Sequence, residues 1–150
     1  MPMVTPRFRE LDQDEIAQVL REHVVGRLAF AFHDRVDIEP VHFVLDGEWI
    51  YGRTTPGTKL TVLAHHPWVA FEVDEVEGPF DWHSVVVKGT VYFVEDGPSH
   101  QLRESYNETL RVIRRLMPDA LTDRDPVPAR SILFRIHINE STGRAATTKG

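Results

Sequence analysis

Residues 36–54, "VDIEPVHFVLDGEWIYGRT", constrain this chain more than any other stretch. Two runs rich in β-branched and aromatic residues are broken only at Asp46-Gly47, a dipeptide that tolerates the positive φ of a tight β-hairpin. The chain must double back here, which commits it to antiparallel pairing. Just upstream, "RLAFAF" (27–32) puts Leu28, Phe30 and Phe32 on one strand face, and "HDR" supplies a polar turn into the hairpin. Three consecutive antiparallel strands follow from these signals.

The flanking segments fit the same class. Residues 11–23, "LDQDEIAQVLREH", open with Asp12 and Glu15 in capping-box spacing and set Ile16, Val19 and Leu20 on one helical face. "GTKLTVLAHHP" (57–67) is predicted as a short helix stopped by Pro67. Strands are predicted at "WVAFEVDEV" (68–76) and "WHSVVVKGTVYFVE" (82–95), a third helix at 98–117, and a last strand at "SILFRIHINE" (131–140) after the Pro-rich connector 125–130. The expected fold is mainly β of the α+β class: a six-stranded antiparallel barrel with about three flanking helices.

Composition bounds the function. A chain of 150 residues with 41% hydrophobic content suits one domain, and the lack of cysteine excludes disulfides, thiolate metal sites and cysteine nucleophiles. The net charge of −6, with acidic residues concentrated in "FEVDEVEGPFD" (71–81), argues against nucleic acid as a partner. No run approaches the length of a membrane span and no leader pattern opens the chain, so a cytoplasmic protein without a membrane partner is expected.

"YGRTTPGTKLTVL" (51–63) nearly spells a nucleotide phosphate loop. Gly52 and Gly57 have the required separation, but Thr58-Lys59 reverses the lysine-then-hydroxyl order, and hairpins replace the parallel βαβ setting. The chemistry still suits a single phosphate: Arg53 offers a planar fork, Thr54 and Thr58 hydroxyls, and Lys59 a charge in the first turn of a helix. Strand alternation places Arg53 and Thr55 on one face and Thr54 on the other. The alternative for the same residues is that Thr58 caps the helix while Arg53 and Lys59 lie in solvent.

Four stretches in the same order resemble the pyridoxamine 5′-phosphate oxidase-like FMN-binding split-barrel family, in particular its nitroimidazole-resistance-type branch. They are "VGRLAFAF" (25–32), "EPVHFVLDGEWIYGRTTPGTKLTVLAHHPWVAFEVDE" (39–75), "WHSVVVKGTVYFVED" (82–96) and "LFRIHINESTGR" (133–144). The resemblance implies a Greek-key split barrel over residues 1–144 with a polar tail at 145–150, a homodimer, and FMN at the dimer interface. It maps the phosphate patch onto Arg53, Thr54, Thr58 and Lys59, and the flavin-lining strand onto Pro40, Val41 and His42. Ser84 is implied near the flavin, with Trp82 and Val85 beside it and Arg27 as a further anion contact. The longer basic phosphate motif of pyridoxamine oxidase proper and its C-terminal arginine and tryptophan segment are not visible. An FMN-dependent oxidoreductase acting on a small planar organic substrate is the expectation, with His42 or His83 as proton donors and no catalytic residue assigned. Alternatives are a non-catalytic flavin or haem binder, a deazaflavin-dependent reductase, and a barrel without a ligand. No residues are assigned to a metal: adjacent side chains diverge at His65-His66, where imidazoles more commonly serve the end of a helix.

Overall fold

A computed structural model describes residues 4–149. The chain runs β1 (Arg7–Glu10), α1 (Gln13–Glu22), β2 (Val25–Phe32), β3 (Arg35–His42), β4 (Val44–Asp46), β5 (Trp49–Thr54), α2 (Thr58–His65), β6 (Trp68–Gly78), β7 (Asp81–Val94), α3 (His100–Ile113) and β8 (Ile132–Thr147). Helix α1 starts on a complete capping box: Glu15 N donates to Asp12 Oδ1 at 2.9 Å and Asp12 N to Glu15 Oε1 at 3.2 Å. Arg9 grips the same Glu15 carboxylate, and hydrogen bonding to that guanidinium lowers its pKa to about 2. The central hairpin forms as read. Asp46 pairs with Trp49 across a two-residue loop in which Gly47 has φ +60, the left-handed conformation that makes glycine the natural choice.

All strand pairs are antiparallel, in the order β3-β2-β6-β7-β8-β5-β4, with β1 added on β8. The first and last strands of that order are consecutive in the chain and separated only by Phe43. Phe43 is 2% exposed and its N–H donates to Val24 O, so the chain leaves β2 there and crosses to β5. The sheet thereby curls into a barrel that closes through the backbone rather than through a ladder, which is the split.

Two differences from the sequence reading concern strand number. Among the described residues eight strands replace six because the second predicted strand changes partner at Phe43, and because Arg7–Glu10, exposed along its length and without an apolar face, still pairs with 144–147. The last strand reaches Thr147, so the expected tail at 145–150 is in part ladder: Ala145 and Ala146 pair with both β1 and β7.

The barrel interior is filled by Leu28, Phe43, Ile50, Phe71, Val73, Val85, Val87, Phe134 and Ile136, and α1 covers one end with Ile16, Val19 and Leu20. Phe43 and Phe71 meet edge to face at 4.9 Å. Gly26 makes this possible, because a Cβ there would lie 2.1 Å from the Phe71 ring. A second cluster of Tyr51, Val112, Ile113, Ala120 and Leu133 lies under α3. Strand β5 is therefore covered on both faces, with Ile50 toward the barrel and Tyr51 toward α3. Among the described residues no helix is long and apolar enough to cross a membrane.

Candidate functional site

The covered β5 decides what the phosphate-like stretch can do. Arg53 lies two residues from Tyr51 and so shares its face, where the irregular segment between α3 and β8 closes over it. Arg53 is 6% exposed, and its guanidinium forks onto Asp125, Nη1 to Oδ2 at 2.5 Å and Nη2 to Oδ1 at 2.8 Å. Nη1 also approaches Arg130 O at 3.4 Å. Asp125 accepts two more bonds, from Leu121 N and Val127 N, and hydrogen bonding to Arg53 holds its carboxyl well below the ordinary aspartate range. Arg53 is thus neither solvated nor a free fork: it fastens the connector to the barrel.

Above this pair lies a cavity of about 220 Å³. Strand β3 contributes Glu39, Pro40, Val41 and His42, the end of β5 contributes Arg53 and Thr54, the turn after it Thr55, α2 gives Lys59, and the connector gives Arg130. Six residues expected from the sequence, Pro40, Val41, His42, Arg53, Thr54 and Lys59, therefore share one wall. Val41 belongs to that wall through its backbone, since its side chain is in the core. Lys59 Nζ is held by Glu39 Oε1 at 2.7 Å. Arg130 Nη1 sits 3.1 Å from His42 Nδ1, and because arginine has no acceptor, Nδ1 must accept and the neutral ring carries its proton on Nε2.

The remaining expected residues stand elsewhere. Thr58 is exposed as the first residue of α2; Gly57 occupies the N-cap with no side-chain bond, so the capping alternative fails as well. Arg27 is opposite Pro40 across the β2–β3 ladder, but it is committed to Asp74 at 2.6 Å and Glu72 at 3.2 Å rather than open to an anion. Burial, then a hydrogen bond with Asp74, raises the Glu72 carboxyl to about 7, while that bond lowers Asp74. Val85 is fully buried in the barrel and its side chain cannot face a ligand. Ser84, opposite Asp74, lies on the outer face of β7; Trp82 donates its indole N–H to Pro79 O at 3.1 Å. Neither lines the cavity.

Sequence reading missed Arg130 and Asp125, which lie in a stretch read only as a Pro-rich connector. It also missed a side-chain cluster at the α1 end of the barrel, where His23, Glu75 and His83 converge. His65, read as serving the end of a helix, contacts Thr61 O at 2.9 Å.

The sequence pattern of a family described as pyridoxamine 5′-phosphate oxidase matches residues 12–145. An uncharacterized protein of Rhizobium meliloti (strain 1021) is 26% identical over 146 residues, spanning 92% of this chain and 95% of its own. The crystal structure of a FAD-binding protein from Mesorhizobium loti superposes with a TM-score of 0.69 at 26% identity, covering 95% of this chain and 99% of that one. A candidate 5-nitroimidazole antibiotic resistance protein from Bacteroides thetaiotaomicron gives a TM-score of 0.71 over 95% of this chain and 89% of its own. At 16% identity that last likeness is one of fold alone.

Proposed function

The chain belongs to the pyridoxamine 5′-phosphate oxidase family, and from that premise we propose that it is an FMN-dependent oxidoreductase, cytoplasmic, with a small planar organic substrate. The observation that carries the reading is the cavity beside β3, where Lys59, Arg130, Thr54 and Thr55 gather cationic and hydroxyl donors at one end of an extended strand. Donors of this kind fit a phosphate monoester, with Lys59 exchanging Glu39 for the ligand. Arg53 acts indirectly, by holding Arg130 and the connector in place.

The cavity of about 220 Å³ falls short of the roughly 300–1,000 Å³ of a pocket for a drug-sized ligand. It suits the phosphate and part of the ribityl chain, and the flavin ring needs a further wall. A second copy of the chain supplies that wall in this proposal, and Ser84 and Trp82, which lie apart from the cavity of their own chain, serve the other copy's groove.

Bound flavin would supply transfer of a hydride or of electrons. The chain's own residues then have defined tasks. Pro40 and Val41 present extended backbone to the ring, and His42, fixed by Arg130, offers an Nε2–H as a proton donor within the cavity. The alternatives retained from the sequence, haem and deazaflavin, differ in spectrum from FMN. The purified protein, reconstituted with FMN, FAD and riboflavin in turn, is expected to show flavin absorbance and to bind FMN more tightly than riboflavin. A protein that stays colourless with every flavin, or shows a Soret band instead, overturns the proposal.

A further inference from the structure

Helix α1 ends at His23, and strands β6 and β7 pair Glu75 with His83 in the same register. Glu75 and His83 follow Val73 and Val85 by alternation on the inward face, just past the point where the apolar core stops. His23 Nε2 lies 3.5 Å and His83 Nε2 3.2 Å from the one oxygen Glu75 Oε2, and the ligating atoms of all three lie within 4.8 Å of one another.

His23 and Glu75 meet lone pair to lone pair. His23 Nδ1 is 2.7 Å from Val19 O; a carbonyl can only accept, so Nδ1 carries the proton and the neutral ring turns a bare Nε2 toward the carboxylate. His83 Nε2 is buried and makes no hydrogen bond although it lies 3.2 Å from Glu75 Oε2. The bare His23 Nε2 and the Glu75 carboxylate repel unless a cation lies between them, and His83 Nε2, left without a partner, points at the same place. Ligand atoms about 2.0–2.1 Å from a tetrahedral zinc lie about 3.3 Å apart, a value between the two His–Glu separations.

We propose that His23, Glu75 and His83 form a binding site for a divalent transition metal of the zinc type. Two imidazoles and one carboxylate favour such an ion over magnesium or calcium, which prefer all-oxygen cages. The Val19 carbonyl supplies the outer hydrogen bond that commonly orients a metal-bound histidine. Access exists, because the side chains of His23, Glu75 and His83 keep 22%, 49% and 31% of their exposure. Three protein ligands leave one tetrahedral position open, and His83 borders two surface clefts from which water or a small anion can reach it. The metal would tie the end of α1 to the β6–β7 hairpin. This site does not rest on the flavin reading and shares no residue with the phosphate cavity.

Calorimetric titration of the chelator-treated full-length chain with zinc chloride tests it. One saturable site per chain is expected, with magnesium giving none. His23→Ala and His83→Ala should each weaken zinc by about 100-fold or more, and the His65→Ala, His66→Ala pair should leave it unchanged. A long-range proton–nitrogen correlation spectrum of the unmutated chain needs no variant to fold: zinc should shift Nε2 of His23 and His83 and hold Nδ1 of His23 protonated. Absence of saturable binding, or undiminished binding when both His23 and His83 are replaced in a chain that still melts cooperatively, overturns the proposal.

Discussion

Replacing Lys59 by alanine isolates the phosphate end of the proposed flavin site. A charge-assisted hydrogen bond to a phosphate contributes about 1.5–3 kcal/mol, or about 10- to 100-fold in affinity. Lys59 first has to leave Glu39, and a partly exposed ion pair of that kind is worth up to about 1 kcal/mol, which pulls the expected loss toward tenfold. Arg130 spends only one of its five donors on neutral His42 and can keep that bond while meeting a phosphate, so its loss should cost at least as much. The two cations would share one phosphate, so the Lys59→Ala, Arg130→Ala pair need not equal the product of the single effects. Arg53 is the wrong residue for this experiment, because removing it strands Asp125 in the interior and loosens the wall itself. Titrating flavin fluorescence with the protein reads the affinity directly. FMN should weaken about tenfold for Lys59→Ala while riboflavin, which lacks the phosphate, is unchanged. Equal losses for both ligands, or no loss for FMN, would refute the assignment of this cavity to a phosphate.

Two further outcomes follow from the fold. Asp125 has a folded-state pKa held below its unfolded value near 3.9, so its contribution is present above about pH 4 and fades as pH falls toward the folded value. The melting-temperature gap between the parent and Asp125→Asn should therefore be widest near neutrality and shrink below about pH 4; a gap independent of pH would show that the ion pair does not hold the connector. Gly26→Ala forces a methyl into the Phe71 ring and should lower unfolding free energy by about 2 kcal/mol in urea denaturation, whereas an unchanged midpoint would mean the ring is free to move aside.

What the sequence disclosed was whatever is written locally. The Asp46-Gly47 turn, the Asp12–Glu15 box and the alternation of β6 and β7 each need only a few neighbouring residues, and each forms as expected. The switch at Phe43 left no such mark, because a strand that changes partners keeps the same apolar alternation. The pairing of β1 with 144–147 was equally silent: neither segment shows the apolar alternation of a half-buried strand. At the candidate site, the gathering of Pro40, His42, Thr54 and Lys59 was legible through order of segments and phosphate chemistry. The fate of Arg53 was not, since its partner Asp125 lies 72 residues on, in a stretch whose prolines announce only a loop. Arg27 likewise read as a free cation until Glu72 and Asp74 came across the sheet to meet it. His23, Glu75 and His83 are unremarkable in a linear reading, because only the β6–β7 ladder and the end of α1 bring them together.

The clasp between Arg53 and Asp125, with Ala120 packed beside it, separates the molecule into parts with different freedom to vary. Residues 118–129 form no ladder with the barrel and reach it through that clasp and through Ala120, buried beside Tyr51 and Leu133, yet the segment they belong to carries Arg130 into the cavity. An ancestor keeping arginine and aspartate at the clasp and the buried Ala120 could lengthen, shorten or rewrite the rest of this segment without disturbing one strand pairing. Ligand preference can then drift among descendants while the eight-stranded frame stays fixed, much as a lock is rekeyed without replacing the door.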